Sequence, residues 1–150
     1  MVKRIVSGGQ TGVDRAALDW ALQHGIPHGG WCPHGRRAED GRIADRYRLQ
    51  ETPSSDSAQR TEWNVRDADG TIIFSLTPNL VAGSELTRQM AEQYHKPHLH
   101  LHPGSTQPGA TLLRFLREYD IQVLNLAGPR ASTEPTVGAF VTEVLDAALG

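Results

Sequence analysis

A glycine-rich segment near the start of the chain, residues 7–12, combines residue types that bind anions. It reads Ser-Gly-Gly-Gln-Thr-Gly, and Arg15 follows shortly after it. Glycines let a ligand approach the backbone closely, and unpaired N–H groups at the start of a helix attract negative charge. The glycine spacing matches neither the dinucleotide fingerprint nor the Walker A loop, and a purely structural turn is the alternative interpretation. The predicted contacts with a phosphate or other oxyanion are Gly8, Gly9, Gln10, Thr11, Gly12 and Arg15.

Two later segments have a similar composition. Gly83 and Ser84 precede a predicted helix, where they form either a second anion cradle or an ordinary helix N-cap. Residues 125–132 follow a predicted strand and include a Gly-Pro turn and an arginine, whose guanidinium offers two parallel donors to an oxyanion. The ligand contacts predicted in this second segment are Asn125, Gly128, Pro129, Arg130 and Ser132.

An arginine-rich segment runs from Arg36 to Arg48, although the whole chain has a net charge of −2. A locally basic stretch on an acidic protein favours a focused anion site and argues against a nucleic-acid partner. A solvated surface loop is the alternative. We predict that Gly35 and Arg36 contact the ligand and that residues 36–41 close over it.

Few side chains are candidates for acid–base catalysis. Glu39 and Asp40 are weak candidates because their loop is expected to overlie the ligand, and Asp14 is a further carboxylate. No spacing pairs these carboxylates, and no Ser/His/Asp arrangement is recognisable. The sequence therefore assigns no catalytic residue and favours binding over catalysis.

His98, His100 and His102 alternate along a predicted strand, with roughly 7 Å between successive side chains. This spacing is too long for all three to bind one ion from a straight strand. We expect a polar strand face or a subunit contact, and no metal bound directly by the protein. Cys32 is the single cysteine, which we expect to pack in the interior of a cytoplasmic protein.

Strands and helices alternate along the chain, which predicts an α/β fold with a mainly parallel sheet and helices on both faces. The three anion-binding segments should then meet at the carboxyl ends of the strands. Between the strands and helices, residues 33–53 are predicted to form a long loop with one helical turn at 43–47. The predicted strands are 3–7, 28–31, 71–76, 98–102 and 121–126, and the predicted helices are 13–24, 56–67, 84–94, 109–119 and 136–149.

The length of 150 residues suits a single domain, residues 1–150. No stretch approaches the roughly 20 apolar residues that span a membrane, and the apolar run near Met1 is too short for a signal peptide. We therefore expect a cytoplasmic protein with no membrane partner.

Several motifs together resemble the molybdenum-carrier family, a circularly permuted, YpsA-related branch of the SLOG superfamily. The resemblance runs nearly from end to end of the chain. It implies a Rossmann-like three-layer domain, a homo-oligomer (dimer or tetramer), and binding of molybdenum cofactor, a pterin with a phosphate and a dithiolene-held oxo-molybdenum. The matching stretches are 7–19, 30–33, 35–41, Arg60-Thr61, Asn64-Val65, Asp67 and 125–132.

Two functions are consistent with this resemblance. One is a binding or carrier protein for an anionic small molecule, with molybdenum cofactor as the expected ligand. The alternative is a SLOG-type nucleotide-binding or nucleotide-hydrolysing enzyme, similar to phosphoribohydrolases. The hydrolysing branch has a PGGxGT loop, of which residues 82–84 (Ala-Gly-Ser) are at best a remnant, and this difference favours the carrier.

Overall fold

The computed structural model describes residues 1–150 and contains five helices and nine strands. Five of the strands form a central sheet. In chain order the elements are β1 (Arg4–Val6), α1 (Val13–Gln23), β2 (His28–Gly29), β3 (Trp31–Cys32), β4 (Arg37–Ala38), β5 (Gly41–Arg42), β6 (Gln50–Glu51), α2 (Ser57–Asp67), β7 (Gly70–Phe74), α3 (Ala82–Gln93), β8 (His98–Leu101), α4 (Pro108–Glu118), β9 (Val123–Ala127) and α5 (Val137–Leu149).

The central sheet has the strand order β2-β1-β9-β7-β8, and all neighbouring strands are parallel. Every residue of β7 is buried, as expected for a parallel strand covered on both faces. Helix α5 packs against α1 and α4, and α2 packs against α3. The result is a three-layer, Rossmann-like α/β fold, as predicted, with element boundaries within a few residues of the predicted ones. None of the helices is long and apolar enough to cross a membrane.

The main core lies between the sheet and helices α1, α4 and α5. The apolar residues at helical spacing in the first and last of these helices are buried in it or packed against it: Val13, Ala17, Trp20 and Ala21 in α1, and Val137, Val141, Val144, Leu145 and Ala148 in α5. Leu113 of α4 is only partly buried and lies outside this core. The buried face of α4 is formed by Leu112, Phe115 and Leu116. Leu113 does not lie on that face, because its side chain is rotated around the helix axis relative to that of Leu112.

Residues 33–53 differ from the prediction, because they form short ladders and a second core. Strand β3 pairs with β6, and β4 with β5. Ile43 and Tyr47 pack with Leu18 and Cys32 in a cluster of four fully or nearly fully buried side chains. The helical turn predicted at 43–47 is wrong. The only backbone bond closing it runs from Tyr47 N–H to the carbonyl of Ala44 (3.1 Å). The carbonyl of Ile43, which an α-helical turn would pair with Tyr47, accepts from Arg36 Nε instead (3.1 Å).

Candidate functional site

A cavity of about 290 Å³ opens at the carboxyl ends of β1, β7 and β9. Its walls come from the β1–α1 loop, the inner face of α2, the start of α3 and the β9–α5 loop. This is the position at which parallel α/β sheets bind ligands. Of the residues predicted from the sequence to bind the ligand, the cavity brings together Gly8, Gln10, Gly83, Ser84, Asn125, Gly128, Pro129 and Arg130.

The remaining predicted ligand contacts lie outside this cavity. They are Gly9, Thr11, Gly12, Arg15, Gly35, Arg36 and Ser132, and the weak catalytic candidates Glu39 and Asp40 also lie outside it. No residue of 33–53 lines the cavity, so the segment 36–41 does not close over it as the sequence suggested. In each case the structure shows which other contact the residue makes.

The glycines of the β1–α1 loop mainly permit close packing of other segments. A Cβ on Gly12, which has a φ of +80°, would lie 2.4 Å from the carbonyl oxygen of Pro129. A Cβ on Gly9 would lie 2.7 Å from a side-chain atom of Leu49. Only Gly8 and Gln10 of this loop face the cavity. The loop is therefore one wall of the cavity, and the anion cradle that its composition suggested stays a prediction.

Thr11 and Ser132 join the β9–α5 loop to its neighbours. The Thr11 hydroxyl accepts the N–H of Ala131 (3.1 Å). Ser132 donates both its N–H (3.2 Å) and its hydroxyl (3.0 Å) to the carboxylate of Glu39. The bond from the Ser132 hydroxyl holds the pKa of Glu39 below its usual value. Glu39 is thus an ionised acceptor that fixes the β4–β5 hairpin.

Arg15 and Asp40 form an ion pair on the same side of the molecule. Both guanidinium Nη atoms of Arg15 donate to the Asp40 carboxylate, at 3.0 and 3.2 Å. Arg15 also donates to the carbonyl of Gly9. The hydrogen bond from Arg15 lowers the pKa of Asp40. This geometry attaches the hairpin to α1 and leaves neither side chain in the cavity.

Arg36 is a structural residue, because its buried guanidinium is surrounded by backbone carbonyls. These carbonyls satisfy most of its N–H donors, which explains why it is not available to a ligand. The neighbouring Gly35 N–H donates to the Glu51 carboxylate at 2.6 Å. The carbonyl acceptors of Arg36 belong to Ile43 (3.1 Å), Ala44 (2.8 Å), Tyr47 (2.7 Å) and Leu49 (3.3 Å).

Helix α2 contributes cavity residues that were not predicted from the strand ends, notably Arg60, Thr61 and Asn64. They were missed because α2 does not begin at the end of a central strand. Their only signal in the sequence was the resemblance, in which Arg60-Thr61 and Asn64 are matching positions. Asn64 accepts the N–H of Trp31 (2.8 Å) and donates to its carbonyl (2.9 Å), which fixes α2 against β3.

Asp14 and Arg60 form a shielded ion pair beside the cavity. Their side chains are 4% and 14% exposed, and Arg60 Nη1 lies 3.4 Å from Asp14 Oδ2. The same carboxylate oxygen accepts the N–H of Gln10 at 3.2 Å. Burial raises the pKa of Asp14, although the charge of Arg60 opposes this shift. Arg60 Nε is buried and has no hydrogen-bond partner.

The start of α3 forms the opposite wall and has unpaired donors. The first backbone bond of this helix runs from Glu85 N–H to the Val81 carbonyl, and the amides of residues 82–84 donate to no group in the chain. Ser84 is 3% exposed, and its hydroxyl is buried without a hydrogen-bond partner. This wall therefore presents donors and no acidic side chain to the cavity.

The three histidines of the β8 region lie at the edge of the sheet, where the ring centroids of His100 and His102 are 5.4 Å apart. His100 Nε2 is 2.5 Å from the hydroxyl of Ser75, which donates to the carbonyl of Thr77. Burial lowers the pKa of His100. The nearest carboxylate contact of His98 is Glu92, at 4.0 Å. No three side chains of the types His, Cys, Asp or Glu are grouped so as to hold a metal ion.

Comparison with known proteins gives two matches that cover nearly the whole chain. The profile of the "Circularly permutated YpsA SLOG family" matches residues 5–149. A crystal structure from Syntrophus aciditrophicus SB, of a protein named "Putative molybdenum carrier protein", is similar with a TM-score of 0.94 and 48% identity. The match covers 99% of this chain and 96% of that one. No curated protein matches. The chain belongs to the circularly permutated YpsA branch of the SLOG proteins.

Proposed function

We propose that this protein binds an anionic small molecule in the cavity at the carboxyl edge of its sheet. The observation that carries the proposal is the composition of the cavity walls. Arg60 and Arg130 supply positive charge, and Asp14 is the only carboxylate among the lining residues. A concave site with a few converging polar groups is the usual form of a small-molecule site.

We propose that the ligand is molybdenum cofactor, which the protein carries and does not convert. Two observations support this choice. The cavity, at about 290 Å³, is just below the range of about 300–1,000 Å³ that is usual for ligand sites, which favours a pterin phosphate over a dinucleotide. The similar protein of known structure is named a molybdenum carrier. In this proposal the donors of the cavity hold the phosphate, and no protein side chain binds the metal.

The carrier proposal is tested by isolating the protein from cells that make molybdenum cofactor. The bound pterin is measured by fluorescence after oxidation, and molybdenum is measured by mass spectrometry. We expect both in equal amounts in the wild-type protein, and neither in Arg60→Gln. Absence of both from the wild type, together with no uptake of added cofactor, would overturn the proposal. The same preparation, in analytical ultracentrifugation, tests the homo-oligomer that the resemblance implies.

A second candidate function is hydrolysis of a nucleotide, and one observation favours it. Asp14 is a buried carboxylate with a raised pKa that lines the cavity next to an arginine, which is the usual environment of a catalytic acid or base. Incubation with a panel of nucleoside monophosphates, with release of the base as the readout, tests it. Turnover that is lost in Asp14→Asn supports this function, and no turnover in the wild type removes it.

A further inference from the structure

We infer that a small basic surface at the amino end of the central sheet is a docking site for an acidic segment of a partner protein. The basic surface consists of Arg4 at the start of β1, His28 at the start of β2, and Arg46 and Arg48 from the segment that precedes β6. It shares no residue with the cavity, which opens at the carboxyl ends of the strands. The inference is therefore independent of the ligand proposed for the cavity.

The arginine-rich segment supplies two of these four residues, and both lack a carboxylate partner. Arg36 is held by backbone carbonyls, and Arg42 forms an ion pair with Asp45 at 2.8 Å. Arg46 and Arg48 are exposed and form no ion pair. Their charges are therefore open to a partner, whereas those of Arg36 and Arg42 are already used within the chain.

Arg4, His28 and Arg48 are close neighbours in the basic surface. Ile5 pairs with His28 in the parallel ladder, and the guanidinium of Arg4 crosses Gly29 where a side chain would otherwise lie. The N–H of Arg48 donates to Nε2 of His28 at 3.1 Å. Burial lowers the pKa of His28, and the charges of Arg48 and Arg4 lower it further. The two arginines thus create a positive potential at this imidazole.

Arg46 is held in place by the second core. Its guanidinium carbon lies 4.6 Å from the centroid of the Tyr47 ring, and Nη2 donates to the Tyr47 hydroxyl at 2.8 Å. Tyr47 is buried, and its hydroxyl donates to Asp19 at 2.5 Å. A side chain that is already ordered loses less conformational entropy when a partner binds. Arg46 is therefore suited to contact a partner at low entropic cost.

A shallow depression beside the arginines adds an apolar contact to the basic surface. Leu22 in this depression is 41% exposed, so a partner can remove apolar area from water there. Arginine is enriched in protein interfaces. The one carboxylate of the depression, Asp45, is paired with Arg42. The residues that line the depression are Leu22, Pro27, His28, Asp45, Arg46 and Arg48.

An acidic protein segment matches this surface better than the other common polyanions. The whole chain has a net charge of −2, so the rest of its surface repels an extended nucleic acid. Anionic membranes bind clusters of about 4–8 Lys/Arg residues, and the basic surface has only three arginines. A short acidic segment can place carboxylates on the arginines and an apolar side chain on Leu22. Such charge complementarity speeds association and selects the partner.

Fluorescence anisotropy at low ionic strength, with a labelled peptide of alternating glutamate and leucine, tests the basic surface. We expect the wild type to bind this peptide at least about tenfold more tightly than the same peptide with lysine in place of glutamate. Oligothymidylate and vesicles of anionic phospholipid are the other two probes. No binding of the acidic peptide, or equally tight binding of either other probe, would overturn the inference.

Charge reversals locate the binding. Arg48→Glu and Arg4→Glu should each weaken binding of the acidic peptide about 3- to 10-fold. The matched control is Arg114→Glu on α4, because Arg114 is also exposed and forms no ion pair. It should change the affinity less than about twofold, since distant surface charges are screened. Affinity that is unchanged in both test variants, or reduced equally in the control, would contradict the inference.

The imidazole of His28 provides a second measurement that needs no variant. Carboxylates of a bound segment oppose the charges of the arginines, so the pKa of His28 should rise when the acidic peptide binds. A pH titration of the His28 ring resonances by NMR, with and without saturating peptide, measures this change. A pKa that stays the same with the peptide bound would place the peptide elsewhere and overturn the inference.

Discussion

Arg60 crosses the β1–α1 loop so closely that Gly8 leaves no room for a side chain. A Cβ on Gly8 would lie 2.5 Å from both Cδ and Nη1 of Arg60. The lack of a side chain at Gly8 therefore allows Arg60, which lines the cavity, to lie against this loop. The glycine-rich loop therefore has a role besides any direct contact with an anion, because Gly8 leaves space for Arg60.

Gly8→Ala should displace Arg60 and weaken binding of inorganic phosphate. Because the Arg60 side chain can move away, we expect a loss of only about 1 kcal/mol in the free energy of unfolding. The relative effect on phosphate binding should be larger than the relative effect on stability. Calorimetry and urea unfolding of the same preparation measure both quantities. A variant that binds phosphate as well as the wild type would show that the position of Arg60 does not matter.

Arg36 should be important for stability, whereas its neighbour Arg37 should not. Arg36→Met removes the donors to four carbonyls of the second core, and we expect a loss of about 3 kcal/mol or more in the free energy of unfolding. Arg37→Met, at an exposed position, should change it by about 0.5 kcal/mol or less. Equal effects of the two substitutions in urea unfolding would contradict the structural role of Arg36.

Two buried serines should respond oppositely to removal of the hydroxyl. Ser7→Ala breaks a 2.6 Å bond to the Leu126 carbonyl and should cost about 1 kcal/mol or more. Ser84→Ala removes a hydroxyl that has no partner, so stability should be unchanged or increased. Thermal unfolding of the two variants is the measurement. Strong destabilisation by Ser84→Ala would mean that its hydroxyl is needed for folding and not for a ligand.

The stability of the protein should depend on pH through Asp14. Its pKa is raised from 3.8 in the folded state, so the folded protein retains a proton that the unfolded chain has lost. The free energy of unfolding therefore falls as the pH rises from 3.8 through the raised pKa. At pH values above the raised pKa, the full loss of stability caused by the buried, ionised carboxylate remains. Asp14→Asn lacks this titration.

Urea unfolding of the wild type and Asp14→Asn across a pH series tests this dependence. The stability of the variant relative to the wild type should increase with pH through that window and then become constant. Any difference between the two proteins at low pH, where Asp14 is protonated, shifts the whole curve without changing its slope. A difference that is constant with pH, or that decreases, would contradict the raised pKa.

The sequence predicted the framework well because hydrophobic periodicity is a local signal. The helix at 13–24 and the buried strand at 71–76 were both located from the spacing of apolar residues within a few turns. The segment 33–53 was predicted only as a long loop, because its second core and the pairing of β6 with β3 depend on contacts with distant residues. Tyr47, for example, packs on Leu18 of α1.

The candidate site was predicted only in part, because contacts between loops depend on residues that are far apart in the sequence. The rule that ligands bind at strand ends placed Gly83, Asn125 and Arg130 at one cavity, as the structure does. The rule could not show that Arg36 binds carbonyls or that Glu39 binds Ser132, since those pairings depend on how loops meet in space. Arg60 was recognisable only as part of a family-like motif.

A crystal structure of the protein with a bound phosphate monoester tests the central claim most directly. The account predicts that the phosphate lies in the cavity, with its oxygens on the amides of residues 82–84 and on the guanidinium of Arg60. A ligand bound instead along the exposed arginines between Arg42 and Arg48, with no density in the cavity, would contradict it.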